Sequence, residues 1–487
     1  AINIMDHEEP RISDYALIGN CCAGALVSRY GSIDWCCLPE FHSPSVFAAL
    51  LDRKKGGYFM ISPSEKYESG QAYLPDTNVV ETHFKSATGC VRIRDAFTAM
   101  EEEDRLQSLH PDHEILRIVE CVSGKTKMRF DFLPRLSYGK IVPELKDNRQ
   151  LGIRISWKEN TLILISTLGQ DQIKVDDNAG RAVAEFTINE GEKVVFSLSY
   201  SSQGPAVIPE LRETSAQRMD KTITYWRNWV SKCKYAGVYH EQVKRSALTL
   251  KLLANASSGA IIAAPTTSLP EEIGGERNWD YRYCWLRDAS FTIRALLKLG
   301  FEDEAHAYMN WILHATQLTQ PRLQVVYSVY GNASLEEKTL EWLRGYKGSG
   351  PVRIGNKADA QFQLDVYGEV LDAVYYYAQI VEQFDRASRR FIIGLGKVIC
   401  KMWREPDNGI WEIRSPGVHH THSKVMAWVG LDRLVKLCEK YSWREAPLQK
   451  FREALKEIRS EIEDLGFNTE LNSYTRGFKG NKLDASL

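Results

Sequence analysis

The sequence predicts a multi-domain protein in which an N-terminal β-sandwich is followed by a helical barrel. Between residues 12 and 205, apolar and polar residues alternate in short segments, the pattern of strands that bury one face. From residue 214 onward, apolar residues recur at steps of three and four, which indicates helices. The long segments 257–285, 319–361 and 405–420 alternate with helix pairs, as if one end of a helical barrel carried all of them.

The N-terminal strands are short and regularly spaced. Turn signals such as Ser123-Gly124-Lys125 and Asn189-Glu190-Gly191 separate them. Many short strands divided in this way indicate a sandwich. We predict strands at 16–18, 25–28, 33–38, 79–84, 91–97, 115–122, 128–132, 151–157, 162–166, 182–187 and 193–200.

The helical part begins with an amphipathic segment, 214–232, that carries Tyr225, Trp226 and Trp229 at helical spacing. We interpret this aromatic stripe as a packing face between domains. We predict further helices near 239–256, 286–299, 302–318, 362–383, 386–404, 421–440 and 444–464. The chain is therefore divided into a sandwich domain (1–210), a helical linker (211–237) and a helical domain (238–487).

Composition and charge exclude several classes of protein. Of the 487 residues, 44% are hydrophobic, and the formal net charge is only -1, which argues against intrinsic disorder. The chain lacks the basic surplus of a nucleic-acid binder, and no apolar run reaches the roughly 18 residues that a membrane span needs. We expect a globular enzyme without a nucleic-acid or membrane partner.

The ten cysteines include no C-x-x-C motif, which favours free thiols in a reducing cytosol. A bridge from Cys21 or Cys22 to Cys36 or Cys37 is the alternative. The first 30 residues carry no secretory signal pattern, so we expect a cytoplasmic protein.

The densest candidate site is the run from Trp279 to Asp288, with four aromatic residues, two arginines and two aspartates in ten positions. Aromatic rings stack on sugar faces, and Asp and Arg hold sugar hydroxyls by charge-assisted hydrogen bonds. The candidate substrate-binding residues here are Asp280, Trp285, Arg287 and Asp288. A capped, salt-bridged helix start explains the same residues equally well.

A second candidate is the run from Asp407 to Arg414, in which a turn delivers Trp411 and Glu412 into a loop. A carboxyl group packed against an indole loses part of its hydration, which suits a general acid. An ordinary ion pair between Glu412 and Arg414 is the alternative, and this stretch alone favours it.

A third candidate is a polar line through an apolar helix. Gln361, Asp365, Gly368 and Asp372 lie at helical spacings, as they would on a face toward a wet cavity. Glu369 on the same helix is a candidate second carboxylate. A buried structural hydrogen bond is its alternative role.

A cluster of three histidines suggests a zinc site, formed by His419, His420 and His422. No Cys, Asp or Glu lies at ligand spacing in the same turn, so a helix start capped by Thr421 or Ser423 is favoured. The sequence also lacks dinucleotide, Walker and nucleophile-elbow motifs. We expect neither a metal nor a cofactor.

Taken together, these motifs resemble bacterial and archaeal members of glycoside hydrolase family 15, the glucoamylase-type enzymes that include glucodextranases and trehalases. His42 departs from the family, which more often has Asp there, and Ile413 stands where fungal glucoamylases have a second acidic residue. The matching segments, in the order of the family, are 12–20, 31–35, 38–41, 279–290, 351–356, 363–369, 409–414 and 421–433.

The resemblance implies a super-β-sandwich, a helical linker and an (α/α)6 barrel. It implies an exo-acting inverting hydrolase that releases glucose from the non-reducing ends of α-glucosides, with trehalose as the alternative substrate. The substrate is thus an oligosaccharide or a disaccharide. Glu412 aligns with the general acid, Arg287 and Asp288 with the pair that grips the terminal glucose, and Trp411 with a sugar-contacting aromatic residue.

The resemblance also places the general base, a Glu, in a late barrel loop beyond Leu487. About seven helices are predicted where the barrel needs twelve. We therefore expect a C-terminally truncated chain with an incomplete barrel and no general base, and we expect none of Glu369, Asp365 and Asp280 to replace it. A non-catalytic carbohydrate-binding protein is the alternative from another class.

Overall fold

The computed structural model describes residues 9–107, 110–202 and 206–487. The chain divides into two compact units. The first consists of the chain up to residue 253 together with 265–282 and 338–354, and the second consists of 254–264, 283–337 and 355–487. Across the described ranges, no helix is both long and apolar enough to cross a membrane.

The first unit contains a 15-stranded antiparallel sheet that folds into a sandwich, as predicted. The longest path through it runs β1-β2-β3-β5-β9-β15-β12-β11-β10. The strands are β1 (Tyr15–Gly19), β2 (Gly24–Ser28), β3 (Ser32–Cys37), β4 (Ser45–Phe47), β5 (Tyr58–Pro63), β6 (Tyr67–Tyr73), β7 (Val80–Ser86), β8 (Gly89–Phe97), β9 (His113–Leu133), β10 (Lys146–Asp147), β11 (Ile153–Trp157), β12 (Asn160–Ser166), β13 (Lys174–Asp176), β14 (Arg181–Asn189) and β15 (Lys193–Ser201).

Strand β9 joins the two layers of the sandwich. Its first half pairs with β8 and β15, and its second half pairs with β5 and β14. The predicted turn at Ser123-Gly124-Lys125 is therefore wrong. Gly124 adopts a φ of 73°, and the pairing with β8 shifts register beside it, so the chain forms a bulge and continues in the same direction.

The core of this unit lies between the layers and is rich in phenylalanine. Phe130 and Phe196 stack with ring centroids 4.9 Å apart, and Phe59 and Phe132 meet edge to face at 5.4 Å. All ten cysteines lie in described residues and none of them forms a disulfide, so the alternative bridge from Cys21 or Cys22 to Cys36 or Cys37 does not form.

The helices fall into both units. The first unit has α1 (Glu102–Gln107), α2 (Leu136–Gly139), α3 (Thr214–Ser231) and α4 (His240–Leu253), and the second has α5 (Leu286–Leu299), α6 (Asp303–Ala315), α7 (Asp365–Tyr377), α8 (Arg386–Met402), α9 (Thr421–Tyr441) and α10 (Leu448–Glu461). Helix α5 has the predicted bounds. Helix α7 begins three residues later than predicted, because the backbone amides of Phe362 and Leu364 bind Asn408 and Asp407 instead of continuing a helix.

Short elements complete the structure. They are the strand pairs Cys284–Trp285 with Val326–Tyr327, Lys338–Thr339 with Arg353–Ile354, and Phe467–Asn468 with Ser473–Tyr474, the 3₁₀ turns Ile12–Asp14, Arg149–Leu151, Gln170–Gln172, Tyr346–Gly348 and Lys357–Ala360, and the π turn Ile462–Gly466.

In the second unit, the helices follow one another as pairs, α5 with α6, α7 with α8, and α9 with α10. The first members also touch each other, α5 against α7 and α7 against α9, which is the alternation of inner and outer helices expected for an (α/α)6 barrel. Helices α7 and α9 lie close together at Gly368. A Cβ atom there would lie 2.0 Å from the carbonyl oxygen of Met426, and Gly430 faces it from the other helix.

Candidate active site

The candidate catalytic side chains converge where α5 and α7 begin, beside the loop that precedes α9. Arg287 and Asp288 lie in the first turn of α5, and Asp365 is the first residue of α7. Glu412 lies in the loop before α9 and comes within 3.4 Å of Arg287. Residues far apart in the sequence thus form one cluster within the second unit.

The Glu412 side chain is held through a single oxygen. Its Oε1 accepts a hydrogen bond of 2.6 Å from the Trp285 indole and one of 3.4 Å from Arg287 Nη2. Among the described residues, no side chain or backbone amide binds Oε2, and the Glu412 side chain is 22% exposed. This arrangement leaves Oε2 available to carry a proton.

The backbone at Glu412 is in the left-handed region, with a φ of 53°. The left-handed backbone conformation costs a residue other than glycine about 1–2 kcal/mol. Residues strained in this way are often found at functional sites. The alternative ion pair with Arg414 does not form, because Arg414 pairs with Glu337 at 2.8 Å.

Arg287 is the centre of the cluster. Besides Glu412, it donates to Gln363 Oε1 at 2.8 Å and lies 3.2 Å from Asp288 Oδ2. Although burial opposes it, the surrounding carboxylates, Asp288 foremost, raise the pKa of Arg287 above its ordinary value. The guanidinium therefore stays charged and can orient several acceptors at once.

Asp288 is the more accessible partner of this arginine, with 44% of its side chain exposed. It lies in the first turn of α5, where the helix dipole stabilises a carboxylate. An accessible carboxyl group fixed at a helix start can accept hydrogen bonds from sugar hydroxyls.

Asp407 organises the loop that carries Glu412. Its buried Oδ2 accepts hydrogen bonds from the Leu364 and Gly409 amides and from the Ser423 hydroxyl. Nearby, Lys424 is buried and donates to the carbonyl oxygens of the segment that precedes the loop, and burial lowers its pKa to about 8. No sequence pattern indicated either of these roles.

Neither Thr421 nor Ser423 forms the predicted cap of α9. The N-cap residue of α9 is His420, whose side chain makes no capping hydrogen bond, and Ser423 binds Asp407 instead. Within the described ranges, no group of three or more His, Cys, Asp or Glu side chains is arranged to hold a metal ion.

Trp411 lies at the exposed side of the loop, with 55% of its surface accessible. Its indole Nε1 donates to both carboxylate oxygens of Asp484, at 2.9 and 3.0 Å. Asp484 is 73 residues away in the sequence, so no local pattern could identify it as a partner. The bond fixes the direction of the ring while leaving its faces accessible.

Asp280 does not have the predicted role. It belongs to the first unit, is fully buried, and binds Arg282 through both oxygens at 2.9 and 2.8 Å. A fully buried carboxylate with both oxygens occupied cannot also bind a sugar, so the salt-bridge alternative describes this residue correctly.

Glu369 lies one turn after Asp365 and is also buried. Burial, followed by repulsion from Asp365 and Asp372, raises the pKa of Glu369 to about 8. Asp372 itself is held between Arg294 and Arg433, at 2.9 and 2.8 Å. The predicted polar line along α7 therefore lies on one face, but it is largely shielded from solvent.

The fold and the cluster define a sugar-cleaving enzyme of the sandwich-and-helical-barrel type. The chain belongs to glycosyl hydrolases family 15, whose family model matches residues 237–487, and a trehalase-like N-terminal model matches residues 3–226. The predictions of family, fold class and glycoside hydrolase are confirmed.

Curated relatives extend over nearly the whole chain. A trehalase of Mycolicibacterium smegmatis is 36% identical over 98% of this chain and 73% of its own length. A trehalase of Thermoplasma volcanium is 33% identical over 98% of this chain and 75% of its own length. Among solved structures, a bacterial glucoamylase complexed with acarbose has a TM-score of 0.65 at 13% identity, covering 96% of this chain and 69% of that chain. This likeness establishes the fold alone.

Proposed function

We propose that the protein is a trehalase, which hydrolyses α,α-trehalose to two glucose molecules. The observation that carries this proposal is the similarity to relatives named trehalase, at 33–36% identity over 98% of this chain. The other expected activity, glucoamylase-like release of glucose from α-glucosides, is supported only by likeness of fold. Trehalose, the alternative substrate expected from the sequence, is therefore the substrate that we propose.

In this proposal, Glu412 is the general acid. Oε2 carries the proton that passes to the departing glycosidic oxygen, while Oε1 keeps its hydrogen bonds to Trp285 and Arg287. As the proton leaves, negative charge develops on the carboxyl group, and both hydrogen bonds strengthen. Donors fixed in advance in this way lower the barrier to proton transfer.

Arg287 and Asp288 bind the hydroxyls of the terminal glucose, and Trp411 contacts the sugar through its exposed ring. The proposed roles of Trp285 and Glu369 differ from the sequence prediction, since both are buried. Trp285 acts by positioning Glu412, and Glu369 lies buried behind the site.

Inverting hydrolysis requires a second carboxylate about 6.5–9.5 Å from the acid to activate water. Burial makes Asp280, Asp365 and Glu369 unsuitable for this, because water must reach the base. We propose that the base is the glutamate of the late barrel loop implied by the family resemblance.

The test uses the protein expressed from its complete reading frame, with trehalose, maltose, isomaltose and starch as substrates. Glucose release is followed enzymatically, and the anomers are followed by NMR. We expect trehalose to be hydrolysed fastest and to give α- and β-glucose initially in equal amounts, because inversion converts only the attacked ring. The Glu412→Gln variant should release no glucose while keeping its fold, which controls for contaminating enzymes.

Other outcomes would contradict the proposal in distinct ways. Preference for starch or maltose would identify a glucoamylase-type enzyme. Sugar binding without hydrolysis of any substrate would favour the non-catalytic alternative. Two equivalents of α-glucose from trehalose would exclude inversion.

A further inference from the structure

Two glutamines precede helix α7 and connect Arg287 to the loop that carries Glu412. Gln363 is buried, and Gln361 is partly buried. Arg287 Nη1 donates to Gln363 Oε1 at 2.8 Å, and Gln363 Nε2 donates to Gln361 Oε1 at 2.9 Å. Gln361 Nε2 then donates to the backbone carbonyl oxygen of Glu412 at 3.3 Å. We call these three consecutive hydrogen bonds the amide chain.

The amide chain joins the backbone of Glu412 to the same guanidinium that binds its carboxyl group. Arg287 Nη2 lies 3.4 Å from Glu412 Oε1, and Nη1 begins the amide chain. Gln361 ends the chain on the carbonyl oxygen of that glutamate. Both ends of the Glu412 residue are therefore tied together through one guanidinium and two side-chain amides.

The direction of each hydrogen bond in the amide chain follows from Arg287. A guanidinium only donates, so the Gln363 oxygen faces Arg287 and the Gln363 nitrogen faces Gln361. The Gln361 nitrogen is then left to face the carbonyl oxygen of Glu412, which only accepts. An amide at each position satisfies both of its neighbours, whereas a carboxylate of the same shape could not donate to the next group.

The backbone of Glu412 has a particular need for such support. Its φ of 53° is a conformation that residues other than glycine rarely adopt, and it persists only where the surroundings hold it. A change of φ at Glu412 would move its side chain. A general acid must lie within hydrogen-bond reach of the oxygen that it protonates, and a displacement of about 1 Å can lower a rate about 100-fold.

We propose that Gln361 and Gln363 are positioning residues, which hold the Glu412 backbone in its left-handed conformation and so keep Oε2 directed toward the glycosidic oxygen of the substrate. They act through Arg287 and through the Glu412 carbonyl oxygen. This inference rests on the proposed function, in which Glu412 is the general acid.

The test measures kcat and KM on trehalose for Gln361→Met in the protein expressed from its complete reading frame. Methionine has a similar length and removes the hydrogen bonds of the amide. We expect kcat to fall about 10- to 100-fold, because the acid is displaced. KM should change less than about threefold, because Gln361 binds the backbone of the acid and not Arg287, which grips the sugar.

Gln71→Met is the matched control. The partly buried amide of Gln71 lies in the first unit and also donates to a backbone carbonyl oxygen at 3.3 Å, that of Val27. We expect this variant to keep the kcat of the wild type.

A double variant tests whether the two glutamines act as one chain. If they do, Gln361→Met combined with Gln363→Met should lose little more kcat than Gln363→Met alone, because either change already interrupts the chain. Two independent contacts would instead multiply the two losses, and that result would overturn the inference.

A second measurement needs no turnover. Hydrogen–deuterium exchange of the peptide that contains residues 408–416 should be faster in Gln361→Met and in Gln363→Met than in the wild type, and unchanged in Gln71→Met. Equal exchange in all four proteins would show that the chain does not hold the loop. A failure of the proposed function is distinguishable from this, since it would appear as no glucose from any sugar in the wild type.

Two further results would overturn the inference. One is a folded Gln361→Met variant with a lower melting temperature but the wild-type kcat, which is the result expected of a merely structural contact. If Gln361→Met does not fold, Gln361→Glu takes its place in the same assays, because it keeps the shape and replaces the donor by an acceptor. Failure of both variants to fold would assign the chain to stability and not to positioning.

Discussion

The hydrogen bond from Trp285 to Glu412 gives the most direct prediction about catalysis. Replacing Trp285 by Phe removes the 2.6 Å bond to Oε1 while keeping an aromatic ring in a site that is 1% exposed. A hydrogen bond to a charged group contributes about 1.5–3 kcal/mol, and here the charge develops only as the proton leaves. Since about 1.4 kcal/mol corresponds to a factor of ten, we expect kcat/KM for trehalose to fall about 10- to 100-fold.

The loss should appear mainly in kcat, because the bond strengthens in the transition state and the indole does not bind sugar in the ground state. Initial rates of glucose release over a range of trehalose concentrations separate the two constants. Trp311→Phe is the matched control, since its buried indole donates to the Val329 carbonyl oxygen at 2.8 Å, away from Glu412. We expect the control to lose stability but to keep its kcat/KM. A folded Trp285→Phe variant with wild-type kinetics would refute the role assigned to this bond.

Three further predictions concern the loop, the pH dependence of stability and the helix contact. Asp407→Ala removes the acceptor of the Leu364 and Gly409 amides and of the Ser423 hydroxyl. We expect a loss of about 2–4 kcal/mol in the free energy of unfolding, measured by urea denaturation, and a lower kcat, measured by glucose release. Unchanged stability would contradict this. Burial raises the pKa of Glu369 from 4.5 to about 8, so between these values the folded state holds a proton that the unfolded chain loses. The contribution of Glu369 to stability is therefore fully present below about pH 4.5 and is lost as the pH rises to about 8. Glu369→Gln should remove that part of the decline in melts between pH 5 and 8, and a wild-type slope would disprove it. Gly368→Ala places a Cβ atom 2.0 Å from the Met426 carbonyl oxygen, so we expect a lower melting temperature by calorimetry, and an unchanged value would show that α7 and α9 can separate freely.

The spacing of apolar residues along the chain predicted much of the fold, because a helix or strand that buries one face places apolar residues at its own period. The helical spacing of apolar residues gave the observed bounds of α5, and alternation located most long strands of the sandwich. It missed β6, where Ser69, Gly70 and Gln71 interrupt the apolar pattern and every residue is at most partly buried. It also divided β9 at Gly124, because a glycine that relieves a bulge has the same local signature as a turn.

The sequence indicated which residues belong to the site, but not which of their side chains contact one another. Glu412, Arg287 and Asp288 were identified from motifs, and they do lie together, at 3.4 and 3.2 Å. The same motif included Asp280, which is buried in an ion pair, because a sugar-binding aspartate and a salt-bridged aspartate look alike in sequence.

The sequence by itself determined the two fold types, the family and the carboxyl group proposed to act as the acid. These follow from periodic burial and from short motifs, both of which are properties of neighbouring residues. Only the tertiary structure decided that Trp285 and Arg287 hold one oxygen of Glu412, that Asp484 holds Trp411, and that a buried Asp365 lies behind the guanidinium. Such contacts join residues that are tens to more than a hundred positions apart. They exist because helix packing brings distant helix ends together, and no local pattern specifies which ends will meet.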